Sequence, residues 1–251
     1  MNVRHQKWIT LGLIAGLSSY IVLGSATPAA AMHIAEGFLP IQWAVFWWVI
    51  SLPFFVLGLR SVSRITSQHP ELKLLLALAG AFTFVLSALK LPSVTGSCSH
   101  PTGTGLGTIL FGPLTMTVLG SLVLLFQAVL LAHGGLTTLG ANLFSMAIVG
   151  PFFTYGIYAL MKGGNQKFAI FFASALGNLS TYIATSIQLA LAFPAASGGI
   201  LASFIKFAGI FAITQVPLAI SEGLLTVLVW NWLQSYGHRE LNVLKLIKQE
   251  H

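Results

Sequence analysis

The sequence has 251 residues, of which 56% are hydrophobic and 7% are charged, and its mean hydropathy is +0.87. This composition excludes an ordinary soluble domain and is typical of a polytopic membrane protein. Basic residues outnumber acidic ones by 12 to 5, giving a formal charge of +7. Because the basic residues lie mostly between apolar runs, they indicate membrane topology and contact with anionic lipid rather than nucleic-acid binding. The single cysteine excludes an internal disulfide.

Residues 1–31 have the layout of a secretory signal peptide. They begin with basic residues, continue with an apolar run over 8–23 and end in Ala29-Ala30-Ala31, which has small residues at the positions that signal peptidase reads. We predict cleavage after Ala31, so that a single membrane domain, 32–251, begins at Met32. The alternative is an uncleaved first transmembrane helix, which would leave Met32 without a free α-amine.

The first span of this domain is predicted over residues 41–59. It is followed by the densest basic segment of the chain, Arg60, Arg64 and Lys73, which predicts a cytoplasmic loop. The cleaved N-terminus then lies outside the plasma membrane. A second span over 74–91 returns to the outside and leads into a polar loop, 92–105, so His33 and His100 are expected on one face.

The remaining apolar runs predict an all-α, multi-pass bundle of six to seven spans. The last run, 200–233, would form a helix of about 50 Å, much longer than the hydrocarbon thickness of about 30 Å. Because Pro217 lies near its middle, we expect a strong kink or two half-spans. Seven crossings are favoured because they place the basic C-terminal tail in the cytoplasm. The other predicted spans are 113–131, 138–161 and 168–193, and seven crossings leave Lys162 and Lys167 outside, against the basic bias.

A metal site is predicted where the signal ends. Freed at Met32, the chain offers an α-amine, the amide nitrogen of His33 and the His33 imidazole, which together close two fused chelate rings. Displacement of an amide proton requires a metal with strong in-plane nitrogen bonds, which suits Ni²⁺, Cu²⁺ or Co²⁺. We assign the fourth in-plane position to His100. The competing interpretation is that both histidines are ordinary polar residues in solvent.

Three further residues are weaker candidates for supporting roles. Cys98 is either a thiol near the ion or a small buried hydrophobe. Glu36 is either a carboxylate bonded to a ligating imidazole or a cap of the following helix. Glu222, at membrane depth, needs a partner such as Lys206 or a backbone donor, and we interpret it as structural first and as a coupling residue second.

The chain resembles the CbiM family of cobalt transport proteins. The resemblance rests on Met32-His33-Ile34-Ala35-Glu36-Gly37-Phe38-Leu39-Pro40, on 92–106 and on the segment from Gln215 to Gly223, and it covers essentially the whole domain. It implies the substrate-capture component of an energy-coupling-factor importer that supplies cobalt for cobalamin biosynthesis. The ligands implied are Met32, His33 and His100. The implied partners are a small accessory membrane protein, a transmembrane coupling subunit and cytoplasmic ATPases.

Other functions remain open beside this one. The sequence contains no GxxxxGK[ST] motif, so energy from ATP must come from a partner and the chain itself is expected not to be an enzyme. A self-sufficient, ion-coupled transporter would need ionisable groups in the membrane, where only Lys206 and Glu222 qualify. An intramembrane metalloenzyme is disfavoured because HExxH is absent. Ligand chemistry does not separate cobalt from nickel, and the resemblance favours cobalt.

Overall fold

The computed structural model describes residues 33–92 and 98–249 and shows a helical bundle in this part of the chain. The chain contains a 3₁₀ turn, Pro70–Leu72, and a π-helical segment, Leu143–Val149. Two short antiparallel strands, β1 (Leu91–Pro92) and β2 (Cys98–Ser99), pair with Leu91 opposite Ser99. The helices are α1 (Ile41–Gln68), α2 (Lys73–Ala88), α3 (Thr104–Phe111), α4 (Pro113–Leu131), α5 (Leu139–Asn142), α6 (Gly150–Met161), α7 (Gln166–Ala192), α8 (Gly199–Tyr236) and α9 (His238–Gln249).

Six helical stretches of the described chain are long and apolar enough to cross a membrane, and they confirm the predicted all-α, multi-pass fold. Their bounds lie close to the predicted ones because the bilayer demands uninterrupted apolar helix. The largest difference is α1, which continues past residue 59 to Gln68 and so carries Arg60 and Arg64 within the helix.

The last span forms without a break. α8 runs for 38 residues, with Pro217 inside it, as one continuous helix. The expected division into two half-spans near 214–217 is therefore wrong. A helix tolerates an internal proline when its neighbours compensate for the lost hydrogen bond, and α8 packs along its length against α7.

The short helix α3 supplies the seventh crossing that was expected from a division of the last span. The chain enters the bundle through β2 and the segment 100–103, and α3 continues through it with all eight of its residues buried. Phe111, at the end of α3, shares a hydrophobic cluster with Ile65, Leu72 and Leu244, which lie at the end of the bundle away from His33. The chain then reverses at Gly112, which has a φ of +84°. Length-based reasoning missed this crossing because α3 has only eight residues.

This crossing changes the topology of everything after it. The turn between α6 and α7 lies beside the end of α8, where Gln234 bonds to Gln166 at 3.1 Å. Lys162 and Lys167 therefore lie at the same end as Arg60 and Arg64, and the expected exception to the basic bias is wrong. We call this the basic end; the basic residues on the elements gathered there are Arg60, Arg64, Lys73, Lys162, Lys167, Arg239, Lys245 and Lys248.

The central helix is α7. Two-thirds (67%) of its most apolar window is buried, against 17% for α1 and for α8, which lie on the outside. Small residues let its neighbours approach closely: a Cβ on Gly105 would lie 2.5 Å from Ser174 Oγ, and one on Gly150 would lie 2.5 Å from Thr181 Oγ1. Helix α7 thus provides a rigid support for the polar groups that it carries.

Candidate metal site

The segment that carries His33 is fixed inside the bundle before α1 begins. Ile34 donates its N–H to Asn142 Oδ1 at 2.8 Å, and its carbonyl accepts from Asn142 Nδ2 at 3.0 Å and from Thr138 Oγ1 at 2.6 Å. These bonds satisfy the backbone N–H and carbonyl of Ile34, which lies outside any helix or strand. As a result His33 is buried, with 1% of its surface exposed.

His100 follows β2 and points one ring nitrogen at His33. Its Nδ1 lies 2.8 Å from the carbonyl oxygen of Pro101, and because a carbonyl only accepts, Nδ1 carries the hydrogen. In the neutral ring Nε2 is then unprotonated, and it lies 2.7 Å from His33 Nδ1. The hydroxyl of Tyr182, on α7, donates to the His100 carbonyl and holds the backbone in place. The segment predicted as a polar surface loop is therefore buried at His100.

A third histidine completes the group. α4 ends at Ala132, which has a left-handed φ of 46°, and the turn brings His133 against the other two rings. The ring centroids of His133 and His33 lie 4.3 Å apart, and those of His133 and His100 lie 4.9 Å apart. The sequence analysis gave His133 no role, because it falls between the predicted spans 113–131 and 138–161. A count of crossings that included α3 would have placed the end of α4, and therefore His133, at the same end of the bundle as His33 and His100.

The three imidazoles form a buried cluster with unsatisfied nitrogens; we call His33, His100 and His133 the histidine cluster. One nitrogen from each ring can be chosen so that all three lie within 4.8 Å of one another. His33 Nε2 and both ring nitrogens of His133 are buried and have no hydrogen-bond partner among residues 33–92 and 98–249. Each buried polar atom left unpaired costs about 1–3 kcal/mol, so three in one place indicate a site built for a ligand.

The electrostatics keep these imidazoles neutral. Burial is the main cause that lowers the pKa of His100 to about 4 and that of His133 to about 2; nearby Lys90 contributes to both, and His100 contributes to the lowering at His133. Burial also lowers the pKa of His33 well below its usual value, with His133 and His100 adding to the effect. Neutral imidazole is the form that binds a metal. Around neutral pH the cluster is therefore ready to accept a cation without first losing protons from these rings.

The closest nitrogen pair matches two neighbouring ligands of one ion. Imidazole nitrogens bind a first-row metal at about 2.0–2.1 Å, and two such bonds at a right angle place the nitrogens about 2.9 Å apart. His33 Nδ1 and His100 Nε2 are 2.7 Å apart. In this structure that distance is a hydrogen bond between the two rings, so it brings the two predicted ligands together without testing the chelate, and Met32 lies outside the described residues.

The weaker candidates take different places. Cys98 lies in β2, two residues before His100. Glu36 accepts hydrogen bonds from the backbone N–H groups of Leu136 and Thr137, which joins the His33 segment to the loop after His133. The N-cap of α1 has no side-chain hydrogen bond, so the helix-cap interpretation of Glu36 is wrong. Thr137 and the loop backbone lower the pKa of Glu36 by hydrogen bonding.

Glu222 satisfies its carboxylate with backbone donors, one of its two predicted solutions. It accepts from Thr102 N at 2.6 Å, from Gly103 N at 3.0 Å and from Asn178 Nδ2 at 2.5 Å. Thr102 adds its hydroxyl at 2.9 Å. The other predicted partner, Lys206, is not among these donors.

Comparison with known proteins identifies the family. The family model for CbiM, described as cobalt uptake substrate-specific transmembrane region, matches residues 33–240. The chain belongs to the CbiM family. A cobalt transport protein CbiM from Nostoc sp. (strain PCC 7120) is 71% identical over 99% of this chain and 96% of its own length. The CbiM of Moorella thermoacetica is 59% identical over 97% of this chain and 93% of its own length.

The same bundle occurs in solved structures. A crystal structure of a transition metal transporter superposes with a TM-score of 0.70 and 27% identity, covering 81% of this chain and 92% of that one. A truncated transition metal transporter gives the same TM-score at 26% identity and covers 99% of that chain. The CbiM-family chain therefore shares the membrane fold of transition metal transporters.

Proposed function

We propose that this CbiM-family chain captures Co²⁺ at its histidine end, the end of the bundle that carries the histidine cluster, for import into the cell. The observation that carries the proposal is the histidine cluster itself, with buried ring nitrogens that have no partner within the described chain. The names of the relatives and the family description favour cobalt as the cargo. Ni²⁺ is the alternative cargo, since the same nitrogen donors accept both ions.

The ligand set extends the predicted chelate by one residue. The α-amine of Met32, released by signal cleavage, joins the amide and Nδ1 of His33 and Nε2 of His100 around the ion. His133 faces the same two rings and offers a further imidazole nitrogen beside this set. In support, the 2.7 Å separation of His33 Nδ1 and His100 Nε2 suits adjacent nitrogen ligands.

The charge distribution supports capture from outside. Basic residues concentrate in cytoplasmic loops, and the basic end holds most of those in the described chain. Among the described residues, the basic side chains outside the basic end are Lys90 and, within α8, Lys206. We therefore orient the basic end and the C-terminal tail toward the cytoplasm, and the histidine end and Met32 toward the outside of the plasma membrane.

Transport requires energy that the chain does not supply by a P-loop. The CbiM resemblance supports an energy-coupling-factor assembly with a small accessory membrane protein, a transmembrane coupling subunit and cytoplasmic ATPases, with cobalamin biosynthesis as the destination of the cobalt. Release would follow when that assembly favours a state of the bundle that binds the ion less well.

The test compares cleaved and uncleaved protein. The substitutions Ala29→Leu and Ala31→Leu put large residues where signal peptidase needs small ones, so the signal stays attached. Each protein is purified from membranes, its N-terminus is sequenced, and it is titrated with cobalt chloride. Tight binding is expected only for the protein beginning at Met32. Equal cobalt affinity with the signal attached would overturn the amine-based site.

A further inference from the structure

The segment that carries His100 is held on both sides by the same helix. After His100, Glu222 of α8 accepts the N–H groups of Thr102 and Gly103. Before His100, Thr214 of α8 bonds through its hydroxyl to the hydroxyl of Ser99 at 2.8 Å. At His100 itself, the carbonyl accepts from Tyr182 of α7. The segment is therefore bonded to the neighbouring helices before, at and after the histidine.

The contacts with α8 are separated along the helix axis. Thr214 and Glu222 are two turns apart, about 12 Å at 1.5 Å per residue. Pro217 lies between them and removes one backbone hydrogen bond from that stretch of helix. A change in the bend of α8 would therefore move the two attachment points relative to each other, and with them the position of His100.

The central helix holds the same segment from the other side. Asn178 donates to Glu222, and Tyr182, one turn later on α7, donates to the carbonyl of His100. Because α7 is the most buried span, it provides the fixed reference against which α8 is held. Glu222, a residue of α8, is thus bonded at once to α7 and to the segment that carries His100.

A buried carboxylate needs a reason to be retained, since burying a charge is costly unless its bonds are well made. Glu222 has no exposed surface, and its donors in the described chain are neutral amide and hydroxyl groups. An ordinary helix-to-helix bond would need only Asn178. The additional donors from Thr102 and Gly103 show that most of the bonding capacity of Glu222 is directed to the segment beside His100.

We infer that Glu222 is a positioning residue for the metal site: together with Thr214 it fixes His100 opposite His33, so that α8 controls how tightly the ion is held. This inference rests on the proposed function and adds to it the element that sets the rate of metal release. Movement of α8 that weakens either attachment would let His100 withdraw, and the ion would lose one nitrogen ligand.

The test uses the full chain beginning at Met32, loaded with cobalt chloride. In Glu222→Gln one carboxylate oxygen becomes an amide donor, so it can no longer accept from all of these groups. We expect the cobalt dissociation rate to rise at least about tenfold and the visible absorption of bound cobalt to change, as for other groups that orient a ligand. Thr214→Val removes the other attachment without changing size, and about a threefold faster dissociation is expected.

The matched control is Thr226→Val, one turn beyond Glu222 on the same helix. Thr226 is buried, and its hydroxyl donates within α8, to the carbonyl of Glu222 at 2.8 Å. Its dissociation rate and cobalt spectrum should equal those of the unaltered chain. If Glu222→Gln does not fold, Thr214→Val decides the question alone.

The outcomes separate the two proposals. Unchanged dissociation rates and spectra in Glu222→Gln and Thr214→Val, with normal cobalt binding by the unaltered chain, would overturn the positioning role only. Failure of the unaltered chain to bind cobalt would overturn the proposed function itself.

Discussion

Two buried polar clusters lie close together in this bundle and differ in how their atoms are satisfied. Within the part of the chain that the structure describes, the histidine cluster leaves three ring nitrogens without a partner, whereas the carboxylate of Glu222 accepts from two backbone N–H groups, an amide and a hydroxyl. Since unpaired buried polar atoms destabilise a fold, the histidine cluster is a candidate site for a metal ion. The carboxylate of Glu222, by contrast, has donors for both of its oxygens within the described chain, and these bonds hold the segment that carries His100.

The largest effect is expected for the loss of a predicted ligand. His100→Ala removes the Nε2 atom that faces His33 and should lower cobalt affinity by at least about a hundredfold, since even groups that merely orient ligands change affinity ten- to a hundredfold. Isothermal titration with cobalt chloride measures the change. His69→Ala, at the basic end, is the control and should bind like the unaltered chain. Equal affinities for the two variants would remove His100 from the ligand set.

Loss of the Glu222 carboxylate should act differently, by lowering the stability of the fold. Glu222→Leu fills a similar volume with an apolar side chain. It leaves the N–H groups of Thr102 and Gly103 and the amide of Asn178 without their acceptor. We expect the free energy of unfolding of the metal-free protein to fall by about 2 kcal/mol or more, read as a lower melting temperature in detergent. A melting temperature equal to that of Thr226→Val would mean that these bonds add nothing to stability.

The pH dependence distinguishes an amine-containing site from one of imidazoles alone. The pKa of His100 is about 4 and that of His133 about 2, so protons do not compete for these rings between pH 6 and 8. The α-amine has a reference pKa near 7.7–8.0, and metal must displace its proton, so affinity should fall about tenfold or more per unit as pH decreases from 7 to 6. Cobalt titrations across this range measure the slope. A flat profile would exclude both the amine and the displaced amide.

The smallest effect is expected at His133, and it should have opposite signs in two measurements. His133→Leu removes two unpaired buried nitrogens, so the metal-free protein should gain about 1 kcal/mol of stability. Cobalt affinity should nevertheless fall about fivefold, because an imidazole beside the ion is lost. Thermal unfolding without metal and cobalt titration give the two values. A loss of stability without loss of affinity would make His133 an ordinary core residue.

Sequence reasoning predicted the long spans well because the bilayer imposes length and apolarity on each of them. It also brought His33 and His100 to one face from the basic bias alone. It failed at α3, because eight residues are too few to be recognised as a membrane span by length. All eight are buried among the surrounding helices. That omission put Lys162 and Lys167 on the wrong side, whereas the expected break in α8 came from the length of the run and from Pro217.

The site was predicted only in part, for a related reason. His33 and His100 stood out because one follows the predicted cleavage and the other lies in a polar segment. His133 did not, because its role depends on α4 ending beside them, and that direction follows from the crossing that was missed. Glu222 was correctly expected to need a backbone donor, but nothing in the sequence indicated that the donors, Thr102 and Gly103, would lie beside His100.

The most direct test of the account is X-ray absorption of cobalt bound to the full chain that begins at Met32. The account predicts a first shell made of nitrogen, with the outer-shell scattering of at least two imidazole rings, and loss of one ring in His100→Ala. A shell of oxygen atoms without imidazole scattering, unchanged in His100→Ala, would contradict it.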